Sequence, residues 1–324
     1  MQTYSSGGAK EVRSLKFGAV SRMKGESLGS SIRPLAAYFC LGLSMFIVGS
    51  NIGIGKLILH ELPVFLFAAL RFFIASVVLA AGMFRTSAWR GFNGTTGRGL
   101  FLQSFFGCFL FSLFMLYGVK HTSSANAGII TSVLPSLIAL LAWIWLREQI
   151  GRRSFAAIGL AVSGIALINL YDASALDVGR VLGNALVLGA VLSEALFAVF
   201  SRRLSLSVPP WSMAFWVNVF GLVLFLPFAI PQALSFDWGT MGPTLWAWVL
   251  LYSLTASVLS FLLWYKGISQ VPANVAGLFT GLIPVSAMII GFSVLGESPT
   301  LSQLAGMILV LLSLVVGTRL RARS

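Results

Sequence analysis

Charge is what this sequence has least of. Lys, Arg, Asp and Glu make up 10% of its 324 residues, against about 25% in soluble domains. That excludes a globular domain with an ordinary hydrated surface. Cysteine occurs twice, as Cys40 and Cys108, both inside apolar runs, so there is no disulfide framework. Histidine also occurs twice, as His60 and His121, each alone at an expected helix end. No metal-ligand spacing follows, and no metal or cofactor is expected. Nucleotide-hydrolysing motifs are missing too. Gly55-Lys56 in VGSNIGIGKL is followed by Leu57 instead of the hydroxyl residue of a phosphate loop, and Ser50 replaces the opening glycine. ATP is therefore excluded as the direct energy source.

What remains is apolar. The chain is 57% hydrophobic, with 26 Phe and 9 Trp, and its mean hydropathy is +0.92. Ten apolar segments fall near 35–60, 63–84, 100–118, 123–146, 153–171, 180–201, 210–232, 243–267, 271–296 and 300–319. Each is near the roughly 20 residues a helix needs to cross a bilayer. Short connections hold most of the Pro, Gly and charge, and Pro63 and Pro272 mark two of the divisions. The expected fold is an all-α integral membrane protein with ten transmembrane helices.

The net charge of +13 does not indicate nucleic acid, because its distribution follows the positive-inside rule. With the N-terminus in the cytoplasm, inner segments hold 18 of the 22 Lys and Arg. They are Lys10 to Arg33 in the tail, then Arg85, Arg90, Arg98, Arg147, Arg152, Arg153, Arg202, Arg203 and Lys266, then Arg319, Arg321 and Arg323. Only Lys120 and Arg180 fall outside, while Lys56 and Arg71 lie within helices. Both termini are thus expected in the cytoplasm, with residues 1–34 a disordered basic tail and 320–324 a short inner end.

An internal repeat is the most informative pattern. A shift of 149 residues aligns Met115–Glu148 with Trp264–Glu297 without a gap. Gly118, Ala127, Gly128, Thr131, Pro135, Leu146 and Glu148 meet identical residues at Gly267, Ala276, Gly277, Thr280, Pro284, Leu295 and Glu297. Proline and glutamate are scarce here, so two such coincidences at one offset carry weight. Each half, 35–171 and 180–319, has five expected spans. An odd number makes the second half enter the membrane from the opposite side. Inverted repeats of this kind build secondary transporters, which exchange two near-equivalent conformations around a central site.

Specific residues then carry a resemblance. Ala69-Leu70-Arg71-Phe72 stands in the second span, and Tyr117-Gly118 precedes Thr122-Ser123-Ser124-Ala125-Asn126-Ala127. Leu146-Arg147-Glu148 ends the fourth span, echoed by Leu295-Gly296-Glu297, and Ser201-Arg202-Arg203 closes the sixth. On these residues the chain resembles the EamA branch of the drug/metabolite transporter superfamily over about residues 35–319. The resemblance implies a ten-helix inverted-repeat carrier of the bacterial cytoplasmic membrane, commonly an exporter of amino acids or other small metabolites. Glu194 departs from it, standing where many relatives place an aromatic.

The polar residues inside the spans are the candidate site. Glu194 lies about 12 Å from the basic end at Arg202 by helix rise, where a carboxylate costs roughly 3 kcal/mol and faces a cavity or a partner. Its stripe, Gly183, Val187, Ala190, Phe197 and Ser201, is mostly small. The bland reading is a neutral glutamate hydrogen-bonded between helices. Arg71 cannot lose its charge, so it needs water, a counter-charge or a path to the headgroups, and either faces a substrate carboxylate or serves a structural or gating role. Ser44, Val48, Asn51 and Gly55 form one helical stripe, with Asn51 and Ser44 as cavity candidates. Gly49 and Gly53 make a small-residue pair that permits close helix approach. Pro135 and Pro284 are expected mid-span, where each frees a carbonyl that Thr131 and Thr280, one turn earlier, either bond or leave to substrate. Tyr117, Asn126, Asn218, Trp264 and Tyr265 are further candidates.

A secondary carrier accounts for the repeat, the topology and these residues. It needs a small-molecule substrate, a lipid bilayer and, where Glu194 titrates, protons as coupling ion. An intramembrane enzyme would need a nucleophile–base or metal constellation, and the sequence holds no HExxH, GxSxG or paired intramembrane aspartates. A non-transporting interaction protein leaves Glu194 and Arg71 unexplained. The topology can be checked by cysteine labelling. Positions at Ser21, Arg90, Arg153 and Ser205 should react only from the cytoplasm, and positions at His121, Ala175 and Asp237 only from outside. A cysteine at Ala175 reacting on the same side as one at Arg153 would sink the inverted repeat.

Overall fold

The computed structural model describes residues 34–83, 93–122, 127, 130–169, 181–295 and 300–318, which all belong to the compact unit Pro34–Ser324. The expected tail, Arg90, Ser123–Asn126, Gly128, Ala175, Glu297 and residues 319–324 lie outside the described residues. Among the described residues every regular element is helical. They are α1 Pro34–Glu61, α2 Val64–Met83, α3 Gly94–Ser104, α4 Phe111–His121, α5 Leu134–Leu146, α6 Arg152–Asn169, α7 Val181–Leu204, α8 Pro210–Ser235, α9 Pro243–Tyr252, α10 Ser260–Ile268, α11 Ala273–Leu278, α12 Leu282–Leu295 and α13 Leu301–Thr318. A π-helical turn, Phe105–Leu110, joins α3 to α4, and another, Ser253–Leu259, joins α9 to α10.

Local chemistry sets the ends. The Asn93 side chain accepts from Thr96 N at 2.8 Å and starts α3. Proline opens α5, α8 and α9, where its missing N–H would have no helical partner anyway. Eight helices among the described residues are long and apolar enough to cross a membrane. Of the ten expected segments, the fourth is helical at Ala127, Ile130 and Thr131 and again over the 13 residues Leu134–Leu146, with a turn at Ser132 and Val133 between. The ninth breaks into α11, a 3₁₀ turn at Phe279–Gly281 and α12. Pro135 and Pro284 were expected mid-span, and each stands just past a break within its segment, Pro135 in the first turn of α5 and Pro284 as the third residue of α12.

Packing relates the two halves. Contacts join α6 to α13, α2 to α8, α4 to α7, α10 to α1, α5 to α7 and α12 to α1. Exchanging α1 with α7, α2 with α8, α4 with α10, α5 with α12 and α6 with α13 turns this set into itself. Glycine contacts repeat the relation in detail. A Cβ on Gly118 would meet Val187 and the Gly183 carbonyl at 2.8 and 3.3 Å; one on Gly267 would meet Leu41 and the Ala37 carbonyl at 2.6 and 3.0 Å. Between α6 and α13, a Cβ on Gly164 would lie 2.8 Å from the Gly306 carbonyl, and one on Gly306 would lie 2.6 Å from the Gly164 carbonyl. Of the pair expected in α1, Gly49 packs against the Ile283 carbonyl and Ser286, whereas Gly53 has open space around it.

Gly306→Ala should therefore cost about 1–3 kcal/mol of stability through overpacking against backbone, read as a lower melting temperature in detergent. Gly53→Ala should be neutral or stabilising by about 0.5–1 kcal/mol, as for alanine in an open helix position. Equal effects at the two sites would contradict the close approach of α6 and α13.

Candidate functional site

A partly open cavity of about 840 Å³ lies among the helices. Its lining runs from Leu59 and Val64, at the α1–α2 junction, to Phe197, Phe261 and Trp264, and no lining residue comes from α3 or α11. The wall is largely aromatic and aliphatic. Phe67 meets Tyr252 edge-on at 4.9 Å, and Phe197 and Phe261 stand 6.1 Å apart. Both π-helical turns face this space, the first through Gly107 and Cys108 and the second through Ala256. Such turns push one residue out of helical register and leave carbonyls short of partners. Ser112 Oγ donates to the Cys108 carbonyl at 2.6 Å, and Asn218 Nδ2 donates to the Ser257 carbonyl at 3.0 Å.

Two opposite charges line the cavity, Arg71 from α2 and Glu194 from α7. The Arg71 guanidinium carbon sits 4.3 Å from the Phe72 ring centroid and 5.9 Å from that of Tyr252. Ring faces attract a cation without neutralising it. Among the described residues no carboxylate pairs with it, the ion pair seen there being Arg202–Glu148. Glu194 is half-buried and has no hydrogen-bond partner among the described residues. Each charge is left facing the cavity, which is what a polar or charged ligand needs for orientation in an otherwise apolar site.

Thr131, Thr280 and Pro284 line the same cavity. Thr280 Oγ1 donates to the Gly277 carbonyl at 2.7 Å, bonding the end of α11 at the helix break. Ser44 and Asn51 do not line it, although their neighbours Met45, Val48 and Ile52 do. Ser44 Oγ donates to the Ser260 carbonyl at 2.8 Å, and Asn51 Oδ1 accepts from Thr255 Oγ1 at 3.1 Å. Their stripe is the seam between α1 and the α9–α10 segment. Tyr117 is 47% exposed and outside the lining, and Pro135 is buried outside it.

Sequence reasoning passed over Ser112, Tyr252, Ser260 and Gln303, which also line the cavity. The repeat held a signal for two of these, Ser112 and Ser260. At the 149-residue offset, Gly107 matches Ala256, Phe111 matches Ser260, Ser112 matches Phe261, Met115 matches Trp264, Thr131 matches Thr280, and Leu134 matches Ile283. Both members of every one of these pairs line the cavity.

The sequence matches the EamA-like transporter family twice, over residues 35–170 and 181–318. The chain belongs to the EamA-like transporter family. This membership and the apolar helices identify an integral membrane protein of the bacterial cytoplasmic membrane. It is 42% identical over 270 residues to YetK of Bacillus subtilis, named an uncharacterized transporter, covering 82% of this chain and 81% of that one. It is 23% identical over 282 residues to an uncharacterized transporter of Archaeoglobus fulgidus, covering 87% and 96%. A solved crystal structure superposes with a TM-score of 0.74 at 20% identity, over 90% of this chain and all of that one, a likeness of fold.

The two prolines can be tested through kinetics. In the EamA-like arrangement each follows a break that borders the cavity, and alanine would restore an N–H and favour one continuous helix. Pro135→Ala or Pro284→Ala should slow turnover more than it weakens substrate binding. Wild-type transport rates in both single mutants would leave packing as the better account.

Proposed function

We propose that this chain is a secondary carrier that moves a small metabolite, an amino acid or related compound, across the cytoplasmic membrane by alternating access, in the export direction. In this reading the fold is ten spans in two inverted five-helix repeats, 35–171 and 180–319, with both termini cytoplasmic. The observation that carries the proposal is the cavity shared by matched residues of both halves, with Arg71 and Glu194 turned into it. The exchange relation among helix contacts supports it further, because two arrangements of equivalent parts can then alternate around one site.

Arg71 provides a fixed cation for an acidic group of the substrate. Glu194 is the titratable counterpart, able to hold a proton in one conformation and release it in another, or to pair with a cationic group. The aromatic wall takes the apolar body. Uptake into everted vesicles across a metabolite panel, with and without a proton gradient, tests transport, direction and coupling together.

Glu194→Gln keeps size and hydrogen bonding but removes the charge. If Glu194 couples protons, the variant should exchange substrate yet lose accumulation driven by a pH gradient. If it pairs with a cationic group, it should lose amines while sparing neutral analogues. Unchanged pH dependence together with unchanged selectivity would make the residue structural.

A further inference from the structure

One polar cluster beyond the cavity joins the two halves at the end where α5, α7 and α10 finish. Arg147 ends α5 in a left-handed conformation, φ 54, which turns the chain so that the next residue leaves the helix axis. That residue, Glu148, reaches the first turn of α11. Its Oε1 accepts from Ala273 N at 2.8 Å and its Oε2 accepts from Asn274 N at 3.1 Å. Arg202, near the end of α7, brings its Nε to 3.9 Å from the same Oε1. Its Nη1 donates to the Ile268 carbonyl at 2.9 Å and the Ser269 carbonyl at 2.7 Å. Two side chains thus hold both sides of the turn between α10 and α11. A layer of polar contacts stands beside them. Gln103 Nε2 of α3 donates to Ser201 Oγ of α7 at 2.7 Å and to Tyr265 Oη of α10 at 3.1 Å. None of these residues lines the cavity, which ends at Phe197, Phe261 and Trp264.

We propose that Glu148 is the latch that keeps the cavity closed at this end, and that opening the end requires its carboxylate to leave the Ala273 and Asn274 N–H groups. The inference rests on the alternating-access reading. Glu148 belongs to the first half, and Arg202 and the α10–α11 turn belong to the second, so the contact must part whenever the halves separate here. Carboxylate–amide bonds suit a latch because they are charge-assisted, yet each broken partner finds water at once when the end opens. α11 leads directly into the 3₁₀ break at Phe279–Gly281, so release of its first turn frees the segment that carries Thr280 at the cavity wall.

A cysteine at the cavity-lining position Ala256, in a chain with Cys40 and Cys108 replaced by alanine, reports which end is open. It is labelled with a membrane-impermeant maleimide in right-side-out and in everted vesicles. In the parent, reaction should come mainly from the face opposite Glu148. Glu148→Gln presents an amide donor to a backbone donor and should raise reaction from the Glu148 face by about tenfold, the effect of losing a charge-assisted hydrogen bond. Arg202→Gln should shift it the same way, and serves as the second variant should Glu148→Gln fail to fold. An unchanged ratio of labelling in the folded variants, while added substrate still switches which face reacts, overturns the latch and leaves alternating access standing. Reaction from a single face in the parent, in both variants and with the metabolite panel present overturns both.

Discussion

Hydrocarbon offers no hydrogen bonds, and that constraint governs where this fold can be irregular. A lipid-facing break would leave bare N–H and C=O groups at several kcal/mol each. The interruptions described here lie against the interior instead. Both π-helical turns border the cavity, and so do Thr131 and Thr280 at the two helix breaks. Side chains then take the carbonyls that the irregular backbone releases, as Ser112 and Thr280 do. At these π-helical turns and helix breaks, irregularity and cavity are therefore one feature. The backbone can bend only where protein or enclosed water receives its polar groups, and the same groups make that place fit for a ligand.

The sequence was most legible where residues are rare for their setting. A carboxylate and a guanidinium in apolar runs pointed to an interior space, and Glu194 and Arg71 both line one. The rare prolines and glutamates of the repeat marked equivalent positions in the two halves, and carrying its offset upstream would have added Ser112 and Ser260. Helical spacing told less. It placed Ser44 and Asn51 on one face correctly, but the identity of the helix covering that face is a tertiary fact, and there the face meets α10 and the second π-helical turn. Tyr117 was beyond reach for the same reason. The breaks beside the prolines were not legible, because a Pro inside an apolar run reads alike whether it kinks a helix or begins one, and the turn at Ser132–Val133 carries no Gly or Asn to announce it.

The relation between halves is close but not complete, and its failure lies in the charges. By the glycine contacts, Ala37 and Leu41 of α1 correspond to Gly183 and Val187 of α7, an offset of 146. Carried along the helix, it matches Met45 with Val191 and Val48 with Glu194, all four of which line the cavity. One half thus offers an acid where the other offers an aliphatic side chain. Two states related by exchanging the halves would place that acid on opposite sides of the bound molecule, so they cannot be isoenergetic for a charged cargo. In the carrier proposed above, direction and coupling would have their physical root in such a difference, not in the symmetric frame.

At the α6–α13 seam, each glycine's missing side chain is occupied by the other's backbone. The two codons form a single mutational target. A first extra carbon at either site forces the helices apart, and a compensating change opposite is impossible, because the facing residue has no side chain left to shrink. Suppressors of a lesion at Gly164 or Gly306 would have to arise elsewhere, at Ile168 or Val310, whose side chains fill the same seam one turn away.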